Sequence, residues 1–315
     1  MTVSGGSAGS AARAGAVPAG GTPVAASRSR RLPRPVYQFT RSPLSVMGAV
    51  VLVFLALAAA WPVALLPHDP YEADITLRLI PPAWEKGGEA RFLLGTDALG
   101  RDMLSMMVHG ARYSLSIVGL AALLSLGIGV TLGLLAGYMR GWIDELVMRL
   151  ADIQLAFPLV VLVIAIVAVL GPNFTNLVIV LGFAGWAPFA RLVRGTVLSL
   201  REKEFIEAAR ALGGGPIRIM SRHLLPNTIT PIVIYTTFDL ARLLLLESSL
   251  AFLGLGVQPP TPSWGSMISD GRQYLFEAWW DAALPGMIII MAVLAFNFVG
   301  DGLRDAIDPL SRQQE

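Results

Sequence analysis

Three ionisable residues, Asp239, Arg242 and Glu247, interrupt an apolar run between Pro231 and Leu253. The twelve Leu, Ile, Val and Phe residues of that run favour membrane insertion by about 4 to 7 kcal/mol, whereas three central charges cost about 7 to 10 kcal/mol. We therefore predict a membrane helix that does not face lipid all round. Asp239 and Arg242 are three residues apart and can pair on one face. The three charges then either line or brace a cavity between membrane helices, or pair structurally inside a helix bundle.

The sequence offers no pattern for catalysis, metal binding or nucleotide binding. It has no cysteine, and its three histidines are too far apart for a metal site: His68, His109 and His223. Both lysines follow glutamate, so no phosphate-binding Gly-Lys-Ser/Thr loop is present. No Gly-x-Ser-x-Gly elbow occurs either. We therefore expect no catalytic residue, no metal ligand and no bound cofactor. The net charge of +2 with dispersed basic residues predicts no nucleic-acid binding.

The long polar segment between Arg201 and Asn227 has the pattern of a helix, a break and a second helix. Four apolar residues recur at helical spacing and predict one face of the first helix: Phe205, Ala208, Ala209 and Leu212. Three charged residues lie on its other face: Glu204, Glu207 and Arg210. Gly213 to Gly215 end this helix, Pro216 opens the second, and Leu225-Pro226 closes it. Spacing alone indicates an amphipathic helix on a cytoplasmic loop.

The composition predicts an all-α polytopic membrane protein. Hydrophobic residues make up 54% of the chain and charged residues 15%, against roughly 45–50% and 25% in soluble domains. Apolar runs of about 20 residues predict six transmembrane helices, at 44–66, 114–138, 153–170, 174–190, 231–253 and 282–299. Pro158 is expected to bend the third. Small residues recur every four positions in the second: Ser125, Gly129, Gly133 and Gly137. They allow close helix packing, either within this chain or with a partner subunit.

With six spans, most of the 24 lysines and arginines fall on the side that holds both termini, and the positive-inside rule places that side in the cytoplasm. The chain then divides into a disordered basic tail (1–40), a first transmembrane helix (41–67), an external loop with a surface helix (68–112), a five-helix core (113–300) that includes the cytoplasmic loop 200–227, and a cytoplasmic C-terminal tail (301–315). Five apolar residues on one face predict the surface helix: Met103, Leu104, Met107, Val108 and Ala111.

Two segments resemble a known family. Glu207-Ala208-Ala209, Gly213 and Leu225-Pro226 resemble the EAA loop of ATP-binding-cassette importer permeases, and Arg210 lies in the same helix. Six residues resemble an external signature of the dipeptide/oligopeptide/nickel branch of that family: Gly95, Thr96, Asp97, Gly100, Arg101 and Asp102. The segments 110–115, 254–265 and 300–309 also look like that branch. Two positions depart from the pattern, since His223 replaces an aliphatic residue and Met106 replaces an arginine.

This resemblance implies a type I importer permease-like fold in a bacterial inner membrane, surrounded by lipid. It implies one half of the translocation path for peptides or related small solutes. The implied partners are a second permease, two cytosolic subunits that bind ATP and Mg, and an extracytoplasmic solute-binding protein. Residues 201–212 would form the coupling helix, with Glu207 as its polar anchor on the ATPase. Ala208 and Ala209 would allow close approach, and Gly213 would make the turn. The chain itself would not be an enzyme.

The alternative from another class is a self-contained, ion-coupled secondary transporter that uses Asp239, Arg242 and Glu247. Such transporters often carry internal repeats, and no repeat relates residues 44–170 to residues 174–299. The sequence therefore favours the importer subunit. Its substrate stays open among dipeptides, longer peptides, glutathione-like peptides and nickel complexes.

Overall fold

The computed structural model describes residues 39–307, so most of the predicted tail at 1–40 and residues 308–315 of the predicted tail at 301–315 lie outside the described residues. The helices are α1 (Pro43–Ala60), α2 (Met103–Met139), α3 (Gly141–Ala156), α4 (Leu159–Leu170), α5 (Phe174–Leu200), α6 (Glu204–Ala211), α7 (Pro216–Ile219), α8 (Leu225–Phe252), α9 (Trp264–Gly271) and α10 (Trp279–Ile307). Short 3₁₀ turns lie at Val63–Leu65, Ile75–Leu77 and Arg272–Tyr274, and a π turn at Met220–Leu224. Thr96 and Asp102 form an isolated β-bridge.

Within residues 39–307, five helical runs are long and apolar enough to cross a membrane: α1, α2, α5, the run Pro216–Phe252, and α10. α3 and α4 pass the same test only as a pair, and their axes meet at 88°. Pro158 lies at this break. Phe157, just before it, is extended at φ −92° and ψ 139°, because proline disfavours helical backbone in the preceding residue. The six predicted spans are therefore five helices and one broken pair, and the bend expected at Pro158 is a full break.

α2 and α5 pack along the stripe of small residues, in the most extensive helix contact of the described chain. A Cβ added at Gly133 would lie 2.6 Å from the carbonyl oxygen of Ala190, and one at Gly129 would lie 2.4 Å from the Cβ of Phe189. The Ser125 hydroxyl donates to the Gly182 carbonyl at 2.8 Å. The stripe is therefore a seam within this chain, which decides between the two readings of the sequence.

The surface helix expected before the second span is not a separate element, because residues 103–112 are the first turns of α2. The Asp102 carboxylate caps α2, accepting from the Ser105 N–H at 2.9 Å and from its hydroxyl at 2.6 Å. The predicted apolar face is largely buried, since Met103 and Met107 pack in a cluster with Trp280. At 37 residues, α2 is about 55 Å long, which exceeds the roughly 30 Å of a bilayer's hydrocarbon core. One end of α2 therefore projects beyond the membrane.

Candidate functional site

The predicted coupling segment forms the short helix α6, which a single fully buried side chain fixes to the bundle. Ile206 is 0% exposed. It belongs to a cluster that joins α2, α5, α7, the π turn and α8: Val130, Leu134, Val193, Val197, Ile219, Leu224 and Ile232. The short helix therefore rests on the long helices that precede and follow it in the chain.

Most of the apolar face predicted for this helix points away from the bundle. Phe205 is 42% and Leu212 is 89% exposed, and Ala208 is exposed as well. Of the predicted face, only the half-buried Ala209 contacts the bundle, together with Ile206, which lies outside that face. α6 has only eight residues and carries apolar residues on two sides. Helical spacing therefore does not tell which side packs on the bundle, and the tertiary contacts alone determine it.

The charged residues of α6 are free of ion pairs within the described part of the chain. Glu207 and Arg210 are exposed, and no salt bridge within residues 39–307 includes either of them. The Arg210 guanidinium lies 5.4 Å from the centre of the Tyr138 ring. α6 thus presents an unpaired carboxylate beside an exposed apolar face, which is the composition of a docking surface.

Gly213 ends the helix in the left-handed region, at φ +79°, where glycine has no steric cost. The N–H of Gly214 donates to the Ala209 carbonyl at 3.0 Å, which is the long-range bond of a glycine helix cap. The turn that the sequence assigned to Gly213 is therefore present.

Leu225-Pro226 does not close a second helix, contrary to the sequence expectation. The helical run continues from Pro216 to Phe252, and the N–H of Leu225 donates to the Met220 carbonyl across a π turn. Pro226 has no N–H and falls in the first turn of α8, where the missing donor is tolerated. The wider turn absorbs the proline, so α7 is joined to the membrane helix without a break.

Ion pairs and hydrogen bonds that spacing did not reveal hold the region around α6. Arg194 of α5 binds Asp144 of α3, with an Nη2–Oδ2 distance of 2.7 Å, and Arg191 pairs with Asp152 on the same two helices. The Arg201 guanidinium donates to the Tyr138 carbonyl at 3.0 Å. The partners are 39 to 63 residues apart in the sequence and leave no periodic signal, so these contacts follow only from the fold.

Two of the three charges of α8 form the expected ion pair, and the third stands apart. The Nη2 and Nε atoms of Arg242 donate to Oδ1 of Asp239 at 2.6 and 3.0 Å. Asp239 is buried, and its Oδ2 has no partner among the described residues. Glu247 is fully buried, with the Ser248 hydroxyl 3.4 Å from its Oε2. The structure therefore does not bring the three charges together.

The six residues of the external signature form one compact turn ahead of α2. The Arg101 guanidinium binds Oδ2 of Asp97 through two nitrogens, each at 2.7 Å, while Oδ1 accepts the Arg101 N–H at 2.8 Å. The Thr96 hydroxyl accepts the Ile80 N–H at 2.8 Å, and the indole of Trp280 donates to the Thr96 carbonyl at 3.1 Å. This turn joins the loop before it, α2 and the start of α10.

Two glycines make that turn possible. Gly95 and Gly100 have φ values of +82° and +76°. A Cβ at Gly100 would lie 1.9 Å from the Asp74 carbonyl oxygen, and one at Gly95 would lie 2.6 Å from the Ile80 carbonyl oxygen. Both positions require glycine for backbone conformation and for space. Nearby, hydrogen bonds from the Thr76 hydroxyl and N–H lower the pKa of Asp74.

The described residues form a bundle of long apolar helices with a short exposed helix between two of them, which is the architecture of a polytopic membrane protein. Residues 129–313 match the family model of the binding-protein-dependent transport system inner membrane component. Residues 36–82 match the N-terminal transmembrane domain of oligopeptide transport permease C. The chain belongs to the family of binding-protein-dependent inner-membrane permeases.

Curated relatives cover most of the chain. The Pseudomonas aeruginosa di/tripeptide transport system permease protein DppC is 44% identical over 88% of this chain and 93% of its own length. The Escherichia coli K12 dipeptide transport system permease protein DppC is 41% identical over 88% and 92%. The glutathione transport system permease protein GsiD of Pectobacterium atrosepticum is 38% identical over 91% and 94%.

The fold is similar to that of a solved importer. An inward-facing structure of the MetNI methionine ABC transporter matches with a TM-score of 0.53 at 20% identity, covering 65% of this chain and 98% of that chain. The importer permease-like fold expected from the sequence is therefore confirmed. The chain is a multi-pass inner-membrane permease component of an ABC transporter and not a catalytic subunit, and the family favours this function over the ion-coupled secondary transporter.

Proposed function

We propose that this chain forms half of the translocation path of an ATP-driven importer for short peptides, with α6 docked in a groove of a cytosolic ATPase subunit. A second permease would complete the path, a second ATPase subunit would sit below it, and a solute-binding protein would deliver peptide from outside. Both termini would be cytoplasmic. ATP and Mg would be held by the ATPase subunits. The relatives named for dipeptides, di/tripeptides and glutathione support a short peptide as substrate.

The exposed surface of α6 carries this proposal. Phe205, Ala208 and Leu212 offer apolar area, and Glu207 offers a carboxylate with no ion-pair partner in the described residues. An ATPase groove with apolar walls and a basic or N–H donor group would match both features.

The connections of α6 provide a mechanical path. Three residues separate α5 from α6, and four residues separate α6 from the run Pro216–Phe252. Closure of the ATPase subunits would push α6, and the buried Ile206 would pass that push to both long helices as a rigid-body motion. Asp239 and Arg242 lie on the second of these helices, where they would brace the path.

The test is a Glu207→Arg variant in the complex purified with its native partners and reconstituted in proteoliposomes. We expect the variant chain to insert and assemble, while ATP-dependent uptake of a labelled dipeptide falls at least about tenfold. The reason is that an arginine would replace the Glu207 carboxylate opposite the basic or N–H donor group proposed for the ATPase groove, where it would be repelled. Glu145→Arg makes the same charge change on an exposed site of α3 and should keep uptake. Wild-type uptake by Glu207→Arg would overturn the coupling role. If the wild-type complex takes up another solute with ATP but takes up no peptide, the proposed substrate is wrong and the coupling role of α6 is unaffected.

A further inference from the structure

A cavity lies at the end of the bundle that carries the signature turn. Its volume is about 310 Å³, at the lower end of the range of small-molecule sites, which is roughly 300 to 1,000 Å³. Three carboxylates and one guanidinium reach it: Asp97, Asp270, Asp281 and Arg101. Its remaining walls include Ala98 of the signature turn and apolar residues of the loop before α9. It is therefore a small, mixed cavity with an excess of negative charge.

The charges of the cavity do not balance. Arg101 is engaged with Asp97 by two nitrogens at 2.7 Å. Asp270 and Asp281 form no ion pair within 4 Å among the described residues. Asp97, Asp270 and Arg101 all act electrostatically on Asp281. Asp270 and Asp281 are thus left without a cation at ion-pair distance among the described residues.

Asp281 is the decisive residue, because it is only 2% exposed and its Oδ2 has no hydrogen-bond partner in the described structure. The backbone of Asp281 packs closely on α9, since a Cβ at Gly271 would lie 2.6 Å from the carbonyl carbon of Asp281. A buried carboxylate oxygen without a partner is costly. A ligand that donates hydrogen bonds and carries a positive charge would remove that cost.

We propose that this cavity binds a small organic molecule through a primary ammonium group, held by Asp281 with Asp270 nearby. An ammonium group supplies three donors and one charge, and the apolar walls suit a short carbon body. A metal ion fits less well, because nowhere in residues 39–307 are three His, Asp or Glu side chains arranged closely enough to hold one, and the carboxylates of this cavity are no exception. The site is separate from α6, and its binding does not depend on the proposed transport activity.

The test is isothermal titration of the purified full-length chain in lipid nanodiscs at neutral pH. The probe is alaninamide, and N-acetylalaninamide is its uncharged counterpart. We expect alaninamide to bind with a millimolar or tighter dissociation constant and the acetylated compound to show no measurable heat. Asp281→Asn should weaken alaninamide at least about tenfold, because it removes a charge-assisted hydrogen bond.

Two further variants separate binding from folding. Ala98→Phe keeps every carboxylate and fills the cavity from its wall, so it should also weaken alaninamide at least about tenfold. Glu277→Gln removes an exposed carboxylate outside the cavity and should leave binding unchanged. Should Asp281→Asn fail to elute as a single species, Ala98→Phe decides the matter alone. If the wild-type chain does not bind alaninamide, the cavity takes only a proton or water and the proposal is wrong. The proposal is also wrong if a well-folded Asp281→Asn or Ala98→Phe variant binds alaninamide as tightly as the wild type does.

Discussion

Neighbouring side chains on α6 face opposite surroundings, so single substitutions there separate folding from docking. Ile206 is fully buried against the long helices, whereas Phe205 is 42% exposed. Ile206→Ala should lower the free energy of unfolding of the α6 region by about 2 to 5 kcal/mol, through lost burial and the cavity left behind. Hydrogen exchange of the amides of 204–215 would report this as faster exchange.

Phe205→Ala is the matched control for this prediction. It removes more carbon than Ile206→Ala but from an exposed site, so amide exchange should stay as in the wild type. In the proposed complex it should instead weaken binding of the ATPase subunit. Equal exchange rates in the two variants would contradict the packing seen at Ile206.

Among the secondary-structure elements, α2 and α5 pack together through those glycines of α2 that face α5, and the other glycines of α2 do not contribute to this packing. A Cβ at Gly133 would meet the Ala190 carbonyl oxygen at 2.6 Å, but a Cβ at Gly127 on the same helix would meet nothing within 4 Å. Gly133→Ala should destabilise the bundle by about 1 to 3 kcal/mol through overpacking. Gly127→Ala should be neutral or stabilising by up to about 1 kcal/mol.

Thermal unfolding of both variants in the same detergent provides the measurement, with the melting temperature as readout. Gly127→Ala should melt at or above the temperature of the wild type, and Gly133→Ala should melt clearly below both. Identical melting of the two variants would mean that α2 and α5 are held apart in the membrane.

Much of this architecture could be predicted from sequence, because membrane burial leaves strong local signals. Apolar length gave the spans, Pro158 marked the break, and Gly213 marked the end of α6. The inner face of α6 could not be predicted, since Phe205 and Ile206 are equally apolar and only the cluster around Ile219 selects one of them. The π turn before Pro226 and the unpartnered Asp281 depend on tertiary packing, which leaves no periodic pattern.

For the whole molecule, the placement of charge inside the bundle limits what α8 can do. Asp239 is buried while 37% of the Arg242 side chain is exposed, so the pair joins the packed interior to a more open side of the helix. Removing one partner of such a pair leaves a desolvated charge, whereas removing both leaves none. Single and double variants therefore distinguish a structural brace from a role in the path.

Asp239→Asn alone should destabilise the chain by about 1 to 3 kcal/mol, because Arg242 loses its charged partner, and the double variant Asp239→Asn/Arg242→Gln should recover most of that stability. Melting temperature and dipeptide uptake, measured on the same reconstituted complex, give the two readouts. We expect uptake to follow stability, which is the behaviour of a brace. A double variant that melts like the wild type yet transports nothing would instead assign the pair to the path itself.

Glu247→Gln is the comparison for a lone buried carboxyl: it keeps the shape of the side chain and disturbs no ion pair, so stability and uptake should both stay near wild type.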